Sequence, residues 1–266
     1  MKTISIIMGI YNCESTLGDA IQSILDQSYP HWHLIMCDDG SRDGTYQVAH
    51  SYQQRFPDKI LLLKNDTNLG LNATLNKCLS HAKGDYIARQ DGDDVSLPSR
   101  FEKEVHHLEQ HPECAIVSTG MILFDEKGDW GSVAFPSVPQ NKDLMRGTIF
   151  SHAACMVRRE AFEAVGGYSV SPKLLRVEDF HLWYKMYLKG YQGYNLKENL
   201  YRARDDRDAQ GRRSLKNRIN ECRVRWLVFK NLKPGIHTFP HIIRPLLVAM
   251  LPGKVYQVLH RRRLKK

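Results

Sequence analysis

Asp91-Gly92-Asp93-Asp94 puts three carboxylates within four residues, directly after the short apolar run Tyr86-Ile87-Ala88. At the end of a buried strand such groups repel one another unless a cation neutralises them. A hard divalent ion, Mn2+ or Mg2+, takes oxygen ligands and leaves coordination positions for phosphate oxygens. With Asp91 and Asp93 as candidate ligands, the motif points to a metal–diphosphate site and a nucleotide-activated substrate. Two plainer readings compete. Asp and Gly favour solvated turns anyway. Asp91, Asp93 and Glu102 also fall at the first, third and twelfth positions of an EF-hand calcium loop. That loop fails here, because Val95 stands where an oxygen ligand is needed and Ser96 where the sharp turn needs Gly.

Other residues could share this chemistry. Asp38 and Asp39 follow the apolar run Trp32–Cys37, and Glu178 and Asp179 lead an amphipathic stretch, Phe180–Leu188. The first pair reads blandly as an Asx-type turn, the second as acids complementing a helix N-terminus. A carboxylate at the second place could instead take the proton of an attacking hydroxyl. A neighbouring acid and partial burial would raise its pKa toward that of a more useful base. Arg89 is unusual on a buried strand and either pairs with a carboxylate or assists a diphosphate. His152 is an ordinary core or surface histidine, or an acceptor-side group.

The elements that must position these residues follow from periodicity. Strands are predicted at Ile4–Ile10, Trp32–Cys37, Ile60–Leu63 and Tyr86–Arg89, with helices at 17–27, Thr45–Arg55 and Leu71–Ala82. This alternation predicts an α/β fold, a mostly parallel Rossmann-like sheet flanked by helices. Ligands of such sheets sit beyond the carboxyl ends of the strands, where Asp38-Asp39 and Asp91–Asp94 both fall. Residues 114–135 read as a strand and hairpin turning at Lys127-Gly128-Asp129. Ala153–Val157 reads as a strand and Glu160–Val165 as a helix. Asp205–Arg213 reads as a mobile polar loop, and Ser214 caps a basic helix running to Leu232.

Charge divides the chain. Of its 38 Lys and Arg and 29 Asp and Glu, residues 200–266 hold 18 and four, so a net acidic body precedes a strongly basic tail. We therefore expect a catalytic domain at 1–202 and a basic helical tail at 203–266. Apolar residues interleaved with cations from Ile242 to Leu259 suit an anionic membrane surface. Nucleic acid is not expected, since no recognition fold or stacking platform accompanies the cations. Cys13, Cys37, Cys78, Cys114, Cys155 and Cys222 show no CxxC and no regular spacing, which favours a reducing compartment. Ile4–Ile10 superficially imitates a signal peptide, but no small-residue cleavage site follows it. No apolar stretch reaches membrane-spanning length.

Taken in order, Ser5–Asn12, Asp38–Thr45, Asn68-Leu69-Gly70, Ala88–Asp94 and Glu178–Trp183 resemble the linked motifs of family-2 inverting glycosyltransferases of the GT-A fold. The resemblance spans residues 3–202. It implies a nucleotide-sugar donor, a divalent metal and sugar transfer with inversion. By the same resemblance, Asp39 contacts the nucleotide base and Tyr11 with Glu14 belongs to the loop around the nucleotide. Asp91 and Asp93 form the DxD pair, and Asp179 is the general base beside Glu178. Two departures stand out: Gly92 replaces the commoner Ala or Ser, and the segment after Tyr201-Arg202 lacks the usual His. The expectation is transfer from a UDP-sugar to a lipid-linked glycan acceptor in cell-surface polysaccharide synthesis, at the inner face of the cytoplasmic membrane.

Two other functions remain. A sugar-1-phosphate nucleotidyltransferase would need a Gly-rich basic loop after the first strand, where Gly9–Glu14 offers one Gly and no cation. An inactive membrane-associated binding partner would have no use for Asp39, Asp91, Asp93 and Asp179 together. A Rossmann dehydrogenase is excluded, because GxGxxG is absent from the first turn.

Overall fold

The computed structural model of the chain describes residues 1–205 and 214–250. In chain order its elements are β1 (Ile4–Ile10), α1 (Glu14–Leu25), β2 (Trp32–Asp38), α2 (Thr45–Arg55), β3 (Ile60–Lys64), α3 (Leu71–Leu79), β4 (Tyr86–Arg89) and β5 (Val95–Ser96). Then come α4 (Arg100–Gln110), β6 (Cys114–Asp125), β7 (Gly128–Val133), α5 (Asn141–Leu144), β8 (Cys155–Arg158), α6 (Arg159–Ala164), α7 (Glu178–Leu188), β9 (Gln192–Arg204), α8 (Leu215–Leu232) and α9 (Arg244–Ala249).

One nine-stranded sheet runs β3-β2-β1-β4-β8-β6-β9-β5, with β7 paired to β6. The strands from β3 to β4 are parallel, as their alternation with helices requires. Beyond β4 the sheet is mixed. β8 lies antiparallel to both β4 and β6, whereas β9 lies parallel to β6. The hairpin forms, and its turn is Glu126-Lys127, one residue earlier than expected. The polar strand β9 and the helix α4 were not foreseen. β9 contains Gly, Asn and Glu, which disfavour strands in isolation. Its conformation comes instead from pairing with β6 on one side and β5 on the other.

The pleat splits the core in two. Ile4, Ile6, Met8 and Ile10 of β1 face α1, α2 and α4, joining Leu17, Ile21, Ile24, Ala49, Phe101 and Leu108. Ile7 faces the other way, toward Leu75 of α3 and the apolar face of α7. Val224 and Val228 of α8 share this second cluster. Ser214 caps α8, its hydroxyl accepting from the Asn217 N–H at 3.2 Å. Arg225 fastens the helix to the body by donating to the carbonyls of Met145, Arg146 and His241. Most of the predicted mobile loop and the end of the basic tail, residues 251–266, lie outside the described residues. Among the described residues no helix is long and apolar enough to cross a membrane.

Candidate active site

Asp39 stands just past β2 and is only 4% exposed. Its carboxylate accepts from Asn65 Nδ2 at 2.9 Å, the Leu69 N–H at 2.8 Å and the Gly70 N–H at 2.9 Å. Gly70 begins α3 at φ +86°, a backbone that disfavours L side chains, and so its N–H can turn toward the acid. Asp39 thereby orders the loop from 65 to 70. Asp38 is fully buried, and its Oδ2 accepts from the Ser41 N–H at 3.4 Å, the Asx-type contact expected of this pair.

A cleft of about 570 Å³ opens beside Asp39. Tyr11, Asp39, Asn68, Leu71, Arg176 and Glu178 are among its lining residues, so the start of β1–α1, the β3–α3 loop and the approach to α7 meet there. Tyr11 is exposed at its rim. The structure does not bring Glu14 into this lining. Glu14 Oε2 accepts from the Gly44 N–H at 2.9 Å, and the Glu14 N–H donates to Asp43 Oδ2 at 3.2 Å, so the starts of α1 and α2 brace each other.

The acidic triplet is divided three ways. Asp94 turns inward, 5% exposed, and accepts from the Arg204 N–H of β9 at 2.7 Å. Burial, then the charges of Asp91 and Asp93, push its carboxyl well above the ordinary range. Asp91 pairs with Arg89, Nη2 to Oδ1 at 2.6 Å, and its N–H donates to the Tyr201 hydroxyl at 3.1 Å. Asp93 points outward into a second cleft of about 400 Å³, shared with Arg202 and Arg204. Its carboxyl is raised by the surrounding walls first and by Asp91 second. Gly92 has a local reason. A Cβ there would lie 3.0 Å from Cys13 Sγ and 3.2 Å from Ile10 Cγ2, so the thiol takes the space an Ala would use.

Arg89, the last residue of β4, is 6% exposed and buries a full charge. Its Nη2 holds Asp91 and its Nη1 lies 2.7 Å from His152 Nδ1. His152 Nε2 in turn lies 2.8 Å from the Tyr168 hydroxyl. Both guanidinium ends face protein partners. The expectation for His152 is therefore met on the structural side: it is tied into the same network as the acids. Burial, with the Arg89 charge second, pushes the His152 pKa well down, so the ring is neutral.

Glu178 and Asp179 open α7. Burial raises the Asp179 carboxyl, opposed by the Phe180 N–H, the Thr148 hydroxyl and the Arg89 charge. Burial, then Asp179, raises Glu178. Tyr168, Tyr201, Thr148 and Asn65 were not foreseen as site residues. Nothing in their local sequence marks them, since each is recruited from a distant segment.

Asp91 and Asp93 offer hard oxygens two residues apart, Asp93 in an open cleft and Asp91 with one oxygen held by Arg89, and this donor set fits a dication. Among the described residues no group of three His, Cys, Asp or Glu forms a metal cage. Such an ion would complete its shell with phosphate oxygens and water.

Comparison with known proteins gives consistent results. The model of the family described as "Glycosyl transferase family 2" matches residues 5–166. EpsE of Bacillus subtilis (strain 168), named as a glycosyltransferase, is 45% identical over 260 residues, covering 98% of this chain and 94% of that protein. WfaP of Escherichia coli, named as a UDP-Glc:alpha-D-GlcNAc-diphosphoundecaprenol beta-1,3-glucosyltransferase, is 28% identical, covering 76% of this chain and 78% of that protein. Among solved structures, TarS 1-349 of S. aureus in complex with UDP superposes with a TM-score of 0.66 at 16% identity, covering 95% of this chain and 76% of that one. The mannosyltransferase PcManGT of Pyrobaculum calidifontis, solved with GDP-Man and Mn2+, gives a TM-score of 0.63 at 18% identity, covering 98% and 73%. These similarities in structure show the fold.

Proposed function

This chain belongs to glycosyltransferase family 2, and on that footing we propose that it transfers a sugar, with inversion, from a UDP-sugar to a hydroxyl of a lipid-linked glycan in cell-surface polysaccharide synthesis. One observation carries the reading. Tyr11 after β1, Asp39 after β2 and Glu178 at the start of α7 line one cleft of about 570 Å³, so the loops beyond the parallel strands meet the acids that open α7. That juxtaposition suits a departing diphosphate on one side and an attacking hydroxyl on the other.

Asp91 and Asp93 would hold the dication, Mn2+ or Mg2+, which supplies positive charge to the leaving diphosphate. Tyr11 and Asp39 would bound the nucleoside in the larger cleft, which Glu178 also lines. Asp179 takes the proton of the acceptor hydroxyl as the new bond forms. Its upward shift brings it closer to the strength a base needs at neutral pH. WfaP's printed name, with its UDP-sugar donor and lipid diphosphate acceptor, supports the donor and acceptor assigned here. We assign the protein to the inner face of the cytoplasmic membrane, attached peripherally. Support comes from the basic segment after residue 200 and from Trp226, Phe239, Ile243 and Leu247, large apolar side chains left exposed from α8 to α9.

Calorimetry and a transfer assay test this together. Wild-type protein should bind UDP more tightly with Mn2+ than without it. Asp179→Asn should keep that binding and lose transfer. Turnover retained by Asp179→Asn refutes its role as base. Absence of metal-dependent UDP binding, or synthesis or cleavage of a nucleoside triphosphate instead, refutes the assignment.

A further inference from the structure

We propose that His152 and Tyr168 are a positioning pair that fixes the Arg89 guanidinium beside Asp91, so that donor binding depends on two residues that touch no substrate. The proposal rests on the glycosyltransferase reading above.

Arg89 is the pivot. A buried guanidinium is costly unless its donors are met. It can only donate, so the His152 Nδ1 that lies 2.7 Å from Nη1 must carry a lone pair. The ring proton therefore sits on Nε2 and is donated to the Tyr168 oxygen at 2.8 Å. One tautomer of a neutral ring satisfies both neighbours; an imidazolium would set a proton against the arginine. The low pKa of His152 agrees with this.

The far end of the strut is anchored by backbone. Asn76 of α3 donates to the Tyr168 carbonyl and accepts from its N–H, both at 2.8 Å. The His152 ring meets Trp183 of α7 edge-on at 5.7 Å, and the Tyr168 ring packs on Phe162 at the same separation. A continuous line thus runs from α3 through Tyr168, His152 and Arg89 to Asp91. Remove the histidine acceptor and Nη1 is left buried without a partner. The guanidinium then has reason to rotate, and Asp91 loses the contact that orients its carboxylate.

The test uses His152→Leu, His152→Gln and Tyr168→Phe in the full chain, with UDP and Mn2+ as probes in calorimetry. The donor KM and kcat are measured alongside. His152→Leu should weaken Mn2+-dependent UDP binding about tenfold, the loss of one charge-assisted hydrogen bond, and raise the donor KM in parallel. His152→Gln can accept from Arg89 and donate to Tyr168, so it should return to within about threefold of wild type. Tyr168→Phe removes one hydroxyl without altering the core volume and should cost about threefold. A folded His152→Leu that binds UDP and Mn2+ like wild type overturns the proposal. So does a glutamine variant no better than leucine. Should His152→Leu not fold, unchanged affinity in Tyr168→Phe overturns it instead. If wild-type protein shows no Mn2+-dependent binding of UDP, the proposed UDP-sugar donor itself falls and takes the pair with it.

Discussion

Replacing Asp39 by Asn separates two things this residue could be doing. It is 4% exposed and receives three N–H bonds, two at Oδ1 and one at Oδ2. In Asp39→Asn the best amide orientation keeps the oxygen toward Asn65 and Leu69. The new NH2 then faces the Gly70 N–H, donor against donor. One bond to a charged acceptor, worth about 1.5–3 kcal/mol, is lost, and the other two weaken as the acceptor becomes neutral. A total of about 3 kcal/mol lowers the melting temperature of a chain this size by roughly 6–12 °C. Differential scanning calorimetry without any ligand reads this directly. The effect precedes any nucleotide, because the loop from 65 to 70 is tied to Asp39 in the free protein. A melting temperature within a degree of wild type would show that the three bonds contribute nothing net. Asp39 would then be a nucleotide contact alone.

Other expectations follow from the same geometry. Asp179 must be ionised to accept a proton, and its folded pKa is raised, so activity should rise with pH through a limb above the ordinary carboxylate range and fall away below it. Thr148→Val removes a hydroxyl that favours the charged form and should move that limb further up; an unmoved limb counts against Asp179 as base. Chelation of divalent ions should abolish Mn2+-dependent UDP binding, and Asp93→Asn should weaken it by an order of magnitude or more; a variant with normal metal-dependent affinity removes Asp93 from the ligand set. Trp226 is 49% exposed on α8, and Trp226→Glu should cut partition onto vesicles containing anionic lipid by on the order of tenfold. Equal co-sedimentation of the two proteins would remove that face from the membrane contact.

Much of this protein can be read along the chain. The apolar runs and their period of two or 3.6 place β1 to β4 and α1 to α3 within a few residues, because side-chain alternation is a local property. β1, β4 and α2 match in full, and Ser214 caps α8 as its residue type suggests. The acidic motifs likewise announce their chemistry, because carboxylates after parallel strands can converge on one edge of a sheet. What the chain could not announce was how those acids are shared out. Asp94 faces a backbone N–H 110 residues away, and Arg89 meets a histidine 63 residues away. Residue type alone treats Asp91, Asp93 and Asp94 as equals. The fold makes one a buried brace, one half of an ion pair and one an outward-facing carboxylate. β9 shows the same limit, since its polar residues become a strand only between β6 and β5. Local sequence sets conformation and chemical capacity over a few residues. Burial, charge partners and pKa depend on who arrives from far along the chain, and only the closed tertiary structure decides that.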